Sequence, residues 1–296
     1  MNTRHVRNAR PPPQTRGDPC FDDSASSSRP SSPPSPPPAP LIAPAAASSV
    51  TVVNVAHRGA SGYAPENTIA AFELADEQDA DMVELDVQQT RDHHLVLMHD
   101  TTLARTTDVE KLFPHRAPWR VGDFTLAEIR RLDAGAWSSP EYRGEAVPTL
   151  GEALQAMNES GLGLLLEIKA PRLYPGIESR VADELRRNVS WPSRLVVQSF
   201  DWGSMRRFHR LMPQVQTGLL GTPSTGQLAG LAGFAAQINP PHHELTADYV
   251  RRVHDHGMKV FTWTVDDADI MRRLISYQVD GIITNRPDVL DEVTDA

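Results

Sequence analysis

The chain has 296 residues, with 29 Lys or Arg against 38 Asp or Glu and a formal net charge of −9. That balance, with no basic stripe along the chain, excludes bulk nucleic-acid binding, so an anionic ligand would need local positive charge from single Arg or Lys residues or from a metal. One cysteine, Cys20, excludes a disulfide framework, and no run approaches the ~20 apolar residues of a membrane-spanning helix.

Residues 1–50 are too poor in apolar side chains to offset the entropy of ordering them, and the run from Ser24 to Ser49 is almost entirely Ser, Pro and Ala. They read as a disordered tail. Arg4, Arg7, Arg10 and Arg16 are followed by no apolar stretch of signal-peptide length, so a cytoplasmic location is the expectation. Residues 51–296 then form one domain, close to the ~250 residues of a (β/α)8 barrel.

Within that domain, apolar strand-like runs alternate with helical patterns. Val52 to Ala56 reads as the first strand, and Asn67-Thr68 as the cap of a helix through Ala75. Met82 to Val87, Gly163 to Ile168, Leu195 to Ser199, Gly218 to Leu220, Ala235 to Asn239, Lys259 to Val265 and Gly281 to Thr284 read as the remaining seven strands. Helical patterns cover Leu150 to Asn158, Ile177 to Arg187, Trp202 to Leu211, Ala247 to Asp255 and Asp267 to Ile275. Eight such units predict an α/β fold, a (β/α)8 TIM barrel, because near-continuous apolar strands suit a parallel sheet buried on both faces. No glycine-rich turn after the first strand supports an open nucleotide-binding sheet instead. Residues 88–148 are too long for one connection and predict an insertion over one end of the barrel, with a short strand at Leu95 to Met98 and an amphipathic segment from Leu126 to Leu132.

Ionisable residues gather at the strand ends. Glu84 and Asp86 are two apart on a strand and so share a face; Glu167 and Lys169 repeat the spacing. In a barrel both pairs would project at the mouth formed by the C-terminal strand ends. Three converging carboxylates repel one another unless a cation is present, and hard oxygen ligands favour Mg2+ or Ca2+. Taken singly, each carboxylate reads as a surface group or an ion-pair partner; the repeated spacing favours the metal. His57 and His99 follow strands and can move protons near neutral pH. Arg58 suits a bidentate hold on a phosphate, and Lys169 adds a second positive charge. Gln198 and Trp263, near strand ends, are candidate substrate contacts, though a tryptophan there is more often core. Glu66 and the pair His242-His243 sit in loops that reach toward the mouth. The inventory suits hydrolysis of a phosphate ester.

At these residues the chain resembles the glycerophosphodiester phosphodiesterase family. The resemblance is carried by His57-Arg58-Gly59, Pro65-Glu66-Asn67-Thr68, Glu84-Leu85-Asp86-Val87, His99-Asp100, Arg105-Thr106-Thr107, Leu166-Glu167-Ile168-Lys169, Trp263-Thr264-Val265 and Asp280-Gly281-Ile282-Ile283-Thr284-Asn285-Arg286-Pro287. It implies the barrel with its insertion, and hydrolysis of a small-molecule phosphodiester to glycerol 3-phosphate and an alcohol. It further implies His57 and His99 as the acid–base pair, Glu84, Asp86 and Glu167 as ligands of the divalent cation, and Arg58 and Lys169 as phosphate contacts. Two rivals use the same site: a lysophospholipase D or phospholipase C-like activity on lipid phosphodiesters, and a non-catalytic binder of phosphate ligands. The sequence displays no obvious exposed aromatic cluster, so the water-soluble substrate leads.

Overall fold

A computed structural model describes residues 52–188 and 194–295; the proline-rich tail with Cys20 lies outside the described residues. Eight parallel strands close into a barrel: β1 (Val53–His57), β2 (Met82–Gln89), β4 (Gly163–Ile168), β5 (Leu195–Ser199), β6 (Gln216–Leu220), β7 (Gln237–Asn239), β8 (Lys259–Thr262) and β9 (Gly281–Thr284). Each pairs with its neighbour, and β1 closes the ring by pairing with both β9 and β2. A ninth strand, β3 (Leu95–Leu97), runs antiparallel along the far half of β2. Helices α1 (Ile69–Glu77), α4 (Leu150–Glu159), α5 (Ile177–Asn188), α6 (Trp202–Leu211), α8 (Ala247–His254), α9 (Ala268–Ser276) and α10 (Pro287–Asp295) alternate with the strands, and the single-turn helices α2 (Val109–Leu112), α3 (Leu126–Ile129) and α7 (Leu228–Leu231) lie in the connections. No helix among the described residues is long and apolar enough to cross a membrane.

The alternation of side chains along each strand divides the core in two. Val83, Leu85 and Val87 of β2, with their counterparts on other strands, face outward and pack under the helices in one large apolar layer. Inside the barrel only Val55, Leu165, Val196, Phe261 and Ile283 form a buried apolar plug. The next inward position along four of these strands is His57, Glu167, Gln198 or, just beyond the end of β8, Trp263. The interior thus turns from apolar to polar at one level, at the C-terminal ends of the strands.

The helices begin where the sequence supplies caps. Thr68 Oγ1 accepts from the Ala71 N–H at 3.3 Å, and Thr149 with Glu152 forms a capping box at α4. Several expected boundaries move. Strand β8 ends at Thr262 rather than Val265, because the chain then leaves the ladder and Trp263 meets Pro241 in an isolated bridge. The amphipathic segment from Leu126 to Leu132 opens on a single helical turn, α3 (Leu126–Ile129), whose capping box starts a helix that gives way to successive short turns. Helix α10 was not expected.

Strand β2 continues to Gln89, and the inserted segment follows it. This segment carries its own apolar cluster of Val96, Met98, Leu103, Val109, Val121, Phe124, Ile129, Leu132, Ala134 and Val147. Strand β3 serves both sides: Leu95 and Leu97 pack into the barrel's outer layer, whereas Val96 and Met98 face the insertion's cluster. Gln88, fully buried on β2, donates from Nε2 to the carbonyls of Met98, His99 and Asp100, which fixes the backbone where the insertion returns to the mouth.

Candidate active site

Strand register brings the polar residues together. His57 on β1 stands opposite Glu84 on β2, Asp86 opposite Glu167 on β4, and Glu167 opposite Gln198 on β5. Side chains from adjacent strands at equal height are neighbours, so residues far apart in the chain meet at one rim. His57, Arg58, Glu84, His99, Glu167, Lys169, Gln198 and Trp263 line one cavity of about 280 Å³ together with Phe200, Leu220, Thr264 and Ile283.

Glu84, Asp86 and Glu167 each offer a carboxylate oxygen, and these lie within 4.8 Å of one another; among the described residues no other group of three acidic, His or Cys side chains is set to hold a cation. All three are buried. Burial, then repulsion from Asp86 and Glu167, pushes the Glu84 carboxyl well above its usual range. Burial and the Asp86 charge raise Glu167 to about 7, against the pull of Lys169. Asp86 differs: burial acts upward, but Lys169 and Arg58 outweigh it and hold the group low. Arg58 Nε lies 3.2 Å from Asp86 Oδ2, and Lys169 Nζ lies 2.9 Å from Glu167 Oε1 and 3.5 Å from Asp86 Oδ1. Two protein cations therefore serve three buried carboxylates, and an all-oxygen set short of positive charge fits a hard divalent ion.

The turn after β1 shapes the side of the cavity that carries Arg58. Arg58 has a left-handed backbone (φ 58°), which directs its N–H to Glu84 Oε2 at 3.1 Å. Gly59 follows at φ 84°, and a Cβ there would lie 2.6 Å from the Ala71 carbonyl carbon and oxygen. Only glycine lets helix α1 approach so closely.

Both histidines have Nδ1 committed. Asn285 donates from Nδ2 to Asp266 Oδ2 at 2.7 Å, so its Oδ1 faces His57 Nδ1 at 2.7 Å and also accepts from Ser61 Oγ. An amide oxygen there requires His57 to carry its proton on Nδ1, which leaves Nε2 with a lone pair. Burial, then the nearby Arg58 charge, lowers His57 to about 4, so the ring is neutral at physiological pH. His99 Nδ1 meets the Asp100 carboxylate at 2.7 Å, which fixes the plane of the ring.

Other expected residues take different places. Glu66 does not line the cavity; it holds Arg58 Nη1 at 2.9 Å and is gripped by Arg105. Asn67 does not cap α1, a task that falls to Thr68. It brackets Asp86 instead, donating to Oδ2 at 2.9 Å and accepting from the Asp86 N–H at 3.0 Å. His242 and His243 form a short 3-10 turn and do not line the cavity. Gln198 does line it, and its Oε1 accepts from Asn239 at 2.6 Å. One exposed aromatic does stand at the mouth: Phe200, 55% exposed, is edge-on to the half-buried Trp263 at 5.8 Å in the cavity wall. The signal for Phe200 was available, because it lies two residues past Gln198 and continues the inward period of β5.

The fold recurs in known proteins. The family model for the glycerophosphoryl diester phosphodiesterase family matches residues 57–289. A glycerophosphodiester phosphodiesterase of Caldanaerobacter subterraneus is 39% identical over 240 residues, covering 80% of this chain and 95% of the relative. One from Bacillus subtilis is 35% identical over 261 residues, covering 82% and 86%. Among solved structures, an Oleispira antarctica phosphodiesterase in complex with its product sn-glycerol-3-phosphate superposes with a TM-score of 0.75 at 30% identity, covering 82% of this chain and 96% of that one. With a closed barrel, a cavity at its C-terminal mouth and relatives matched along almost their whole length, the chain is an enzyme of the glycerophosphoryl diester phosphodiesterase family.

Proposed function

We propose that this enzyme hydrolyses glycerophosphodiesters to glycerol 3-phosphate and an alcohol, with His57 as general base and His99 as general acid. The observation that carries the reading is the pair of imidazoles on one cavity, each with Nδ1 tied to an acceptor of different charge. A base held by an amide oxygen and an acid held by a carboxylate are the two roles a displacement at phosphorus needs.

Arg58 and Lys169 hold the phosphodiester and offset charge that grows on its oxygens. The attacking hydroxyl, from water or from the glycerol 2-position, gives its proton to His57 Nε2. The departing alcohol oxygen takes a proton from His99 Nε2. Glu84, Asp86 and Glu167 are the residues that would hold a divalent cation, Mg2+ or Ca2+. Such an ion, when bound, supplies Lewis-acid stabilisation of the phosphoryl oxygens. Asn67 keeps Asp86 aimed at that seat.

The test is a metal-by-substrate screen that measures released glycerol 3-phosphate. Glycerophosphocholine should be turned over with Mg2+ or Ca2+, and EDTA should abolish the activity. Turnover indifferent to chelator would overturn the three-carboxylate seat, and binding without turnover would overturn catalysis. A cyclic phosphate seen by phosphorus NMR would identify the glycerol hydroxyl as nucleophile.

A second reading, action on lysophospholipids, is favoured by the aromatic wall. Phe200 also borders a second hollow formed with Ala170, Pro171 and Arg172, and Leu173 nearby is 57% exposed. Faster turnover of lysophosphatidylcholine than of glycerophosphocholine, lost in Phe200→Ala, would make the lipid diester the substrate.

A further inference from the structure

Arg105 lies on the insertion, its side chain is 43% exposed, and it does not line the cavity. Yet its guanidinium makes two forks. Nε donates to Asp100 Oδ2 at 2.8 Å and Nη2 to Asp100 Oδ1 at 3.0 Å. Nη1 donates to Glu66 Oε2 at 2.7 Å and Nη2 to Glu66 Oε1 at 2.8 Å. Beyond each carboxylate stands a residue of the cavity: His99 Nδ1 at 2.7 Å from Asp100 Oδ1, and Arg58 Nη1 at 2.9 Å from Glu66 Oε1. An unbroken row of polar contacts thus runs from His99 through Asp100, Arg105, Glu66 and Arg58 to Asp86.

We propose that Arg105 is a positioning residue for the hydrolysis, which by gripping Asp100 and Glu66 together fixes the orientation of both His99 and Arg58. This rests on the reading above, in which His99 protonates the departing oxygen and Arg58 holds the phosphate. A carboxylate with both oxygens engaged by a planar fork cannot swing, so the ring that donates to it is fixed in plane and tautomer. A lysine delivers charge at a single point and cannot grip two carboxylates in this way. In the step concerned, the bond from phosphorus to the alcohol oxygen breaks and its electron pair stays on that oxygen. The proton on His99 Nε2 moves to the same oxygen, while the proton of the attacking hydroxyl passes to His57.

The test compares two diesters in the full chain with its divalent cation: glycerophosphocholine, whose alkoxide must be protonated, and the p-nitrophenyl ester of glycerol phosphate, whose phenolate leaves without a proton. Asp100→Asn should lower kcat on glycerophosphocholine by ~10- to 100-fold, at or below the usual range for a general acid, with little change on the p-nitrophenyl ester. Arg105→Lys should show the same selective loss, together with a raised KM for both esters as Arg58 is released. Equal loss on both esters with KM unchanged, or kinetics like the wild type, would overturn the proposal. If Arg105→Lys melts early, Arg105→Gln and Asp100→Asn carry the same comparison. His99→Ala is the control. Selective loss there with none in Arg105→Lys overturns the positioning role alone, whereas equal loss on both esters in His99→Ala overturns the acid assignment beneath it.

Discussion

His57 and Asn285, 228 residues apart in the chain, meet at 2.7 Å between Nδ1 and Oδ1. The contact sets the tautomer of the proposed base, and burial with Arg58 keeps the ring neutral down to about pH 4. A base must be unprotonated to act, so the acid limb of kcat/KM at saturating metal should fall below the ordinary imidazole value of ~6.5. Asn285→Asp would place a carboxylate beside the ring, favour the imidazolium and move that limb to higher pH. A pH profile unchanged by the substitution would remove His57 as the base.

His57→Ala and His99→Ala should each lower turnover by ~10²- to 10⁴-fold. Circular dichroism should show both variants folded. Activity near that of the wild type in either variant would take that histidine out of the mechanism.

Glu167 is held near 7 in the folded chain, above the ~4.3 of a free glutamate. The folded state therefore binds more protons than the unfolded state between those values. In EDTA, its contribution to stability is present at low pH and is lost as pH rises toward 7, by up to ~1.4 kcal/mol per pH unit. Glu167→Gln keeps the neutral shape, so melts in EDTA should show the variant gaining on the wild type across this window. Added Mg2+ or Ca2+ should stabilise only the wild type, with affinity that rises with pH as the carboxyls give up protons. Parallel pH curves for the two proteins would refute the raised carboxyl.

Gly59→Ala should cost about 2–4 kcal/mol, from overpacking against Ala71 together with a left-handed backbone that disfavours a Cβ. Because Arg58 precedes it, activity should fall in protein that remains folded. A neutral effect on the melting temperature would show that α1 can shift.

Much of this molecule was legible because strand residues obey a period of two. That rule placed Glu84 with Asp86 and Glu167 with Lys169, and the barrel then set them at one rim. The near-continuous apolar run gave Gly163 to Ile168, Leu195 to Ser199 and Gly281 to Thr284 their observed bounds. It served less well at β7, where the buried polar residues Gln237 and Asn239 break the apolar signal. Local patterns also do not encode which distant side chain satisfies a polar group. Asn67 read as a cap yet clasps Asp86, and the roles of Asn285 and Arg105 exist only after folding.

Phe124, fully buried in the insertion's own cluster, offers a test of how that segment is held. Phe124→Ala should cost ~3–5 kcal/mol locally. Hydrogen exchange should then rise across residues 96–147 before it rises in the barrel strands, with activity lost at temperatures where the barrel is still folded. Simultaneous exchange in both regions would show a single cooperative unit.

The separate packing of that segment has an evolutionary consequence. The candidate cation seat, the proposed phosphate contacts and one imidazole stand on barrel strands or the turns that follow them, while the other imidazole arrives on a flap with a private interior. Where it spares Arg105, mutational drift in the flap can retune the surroundings of the proposed acid without unpacking the frame beneath it.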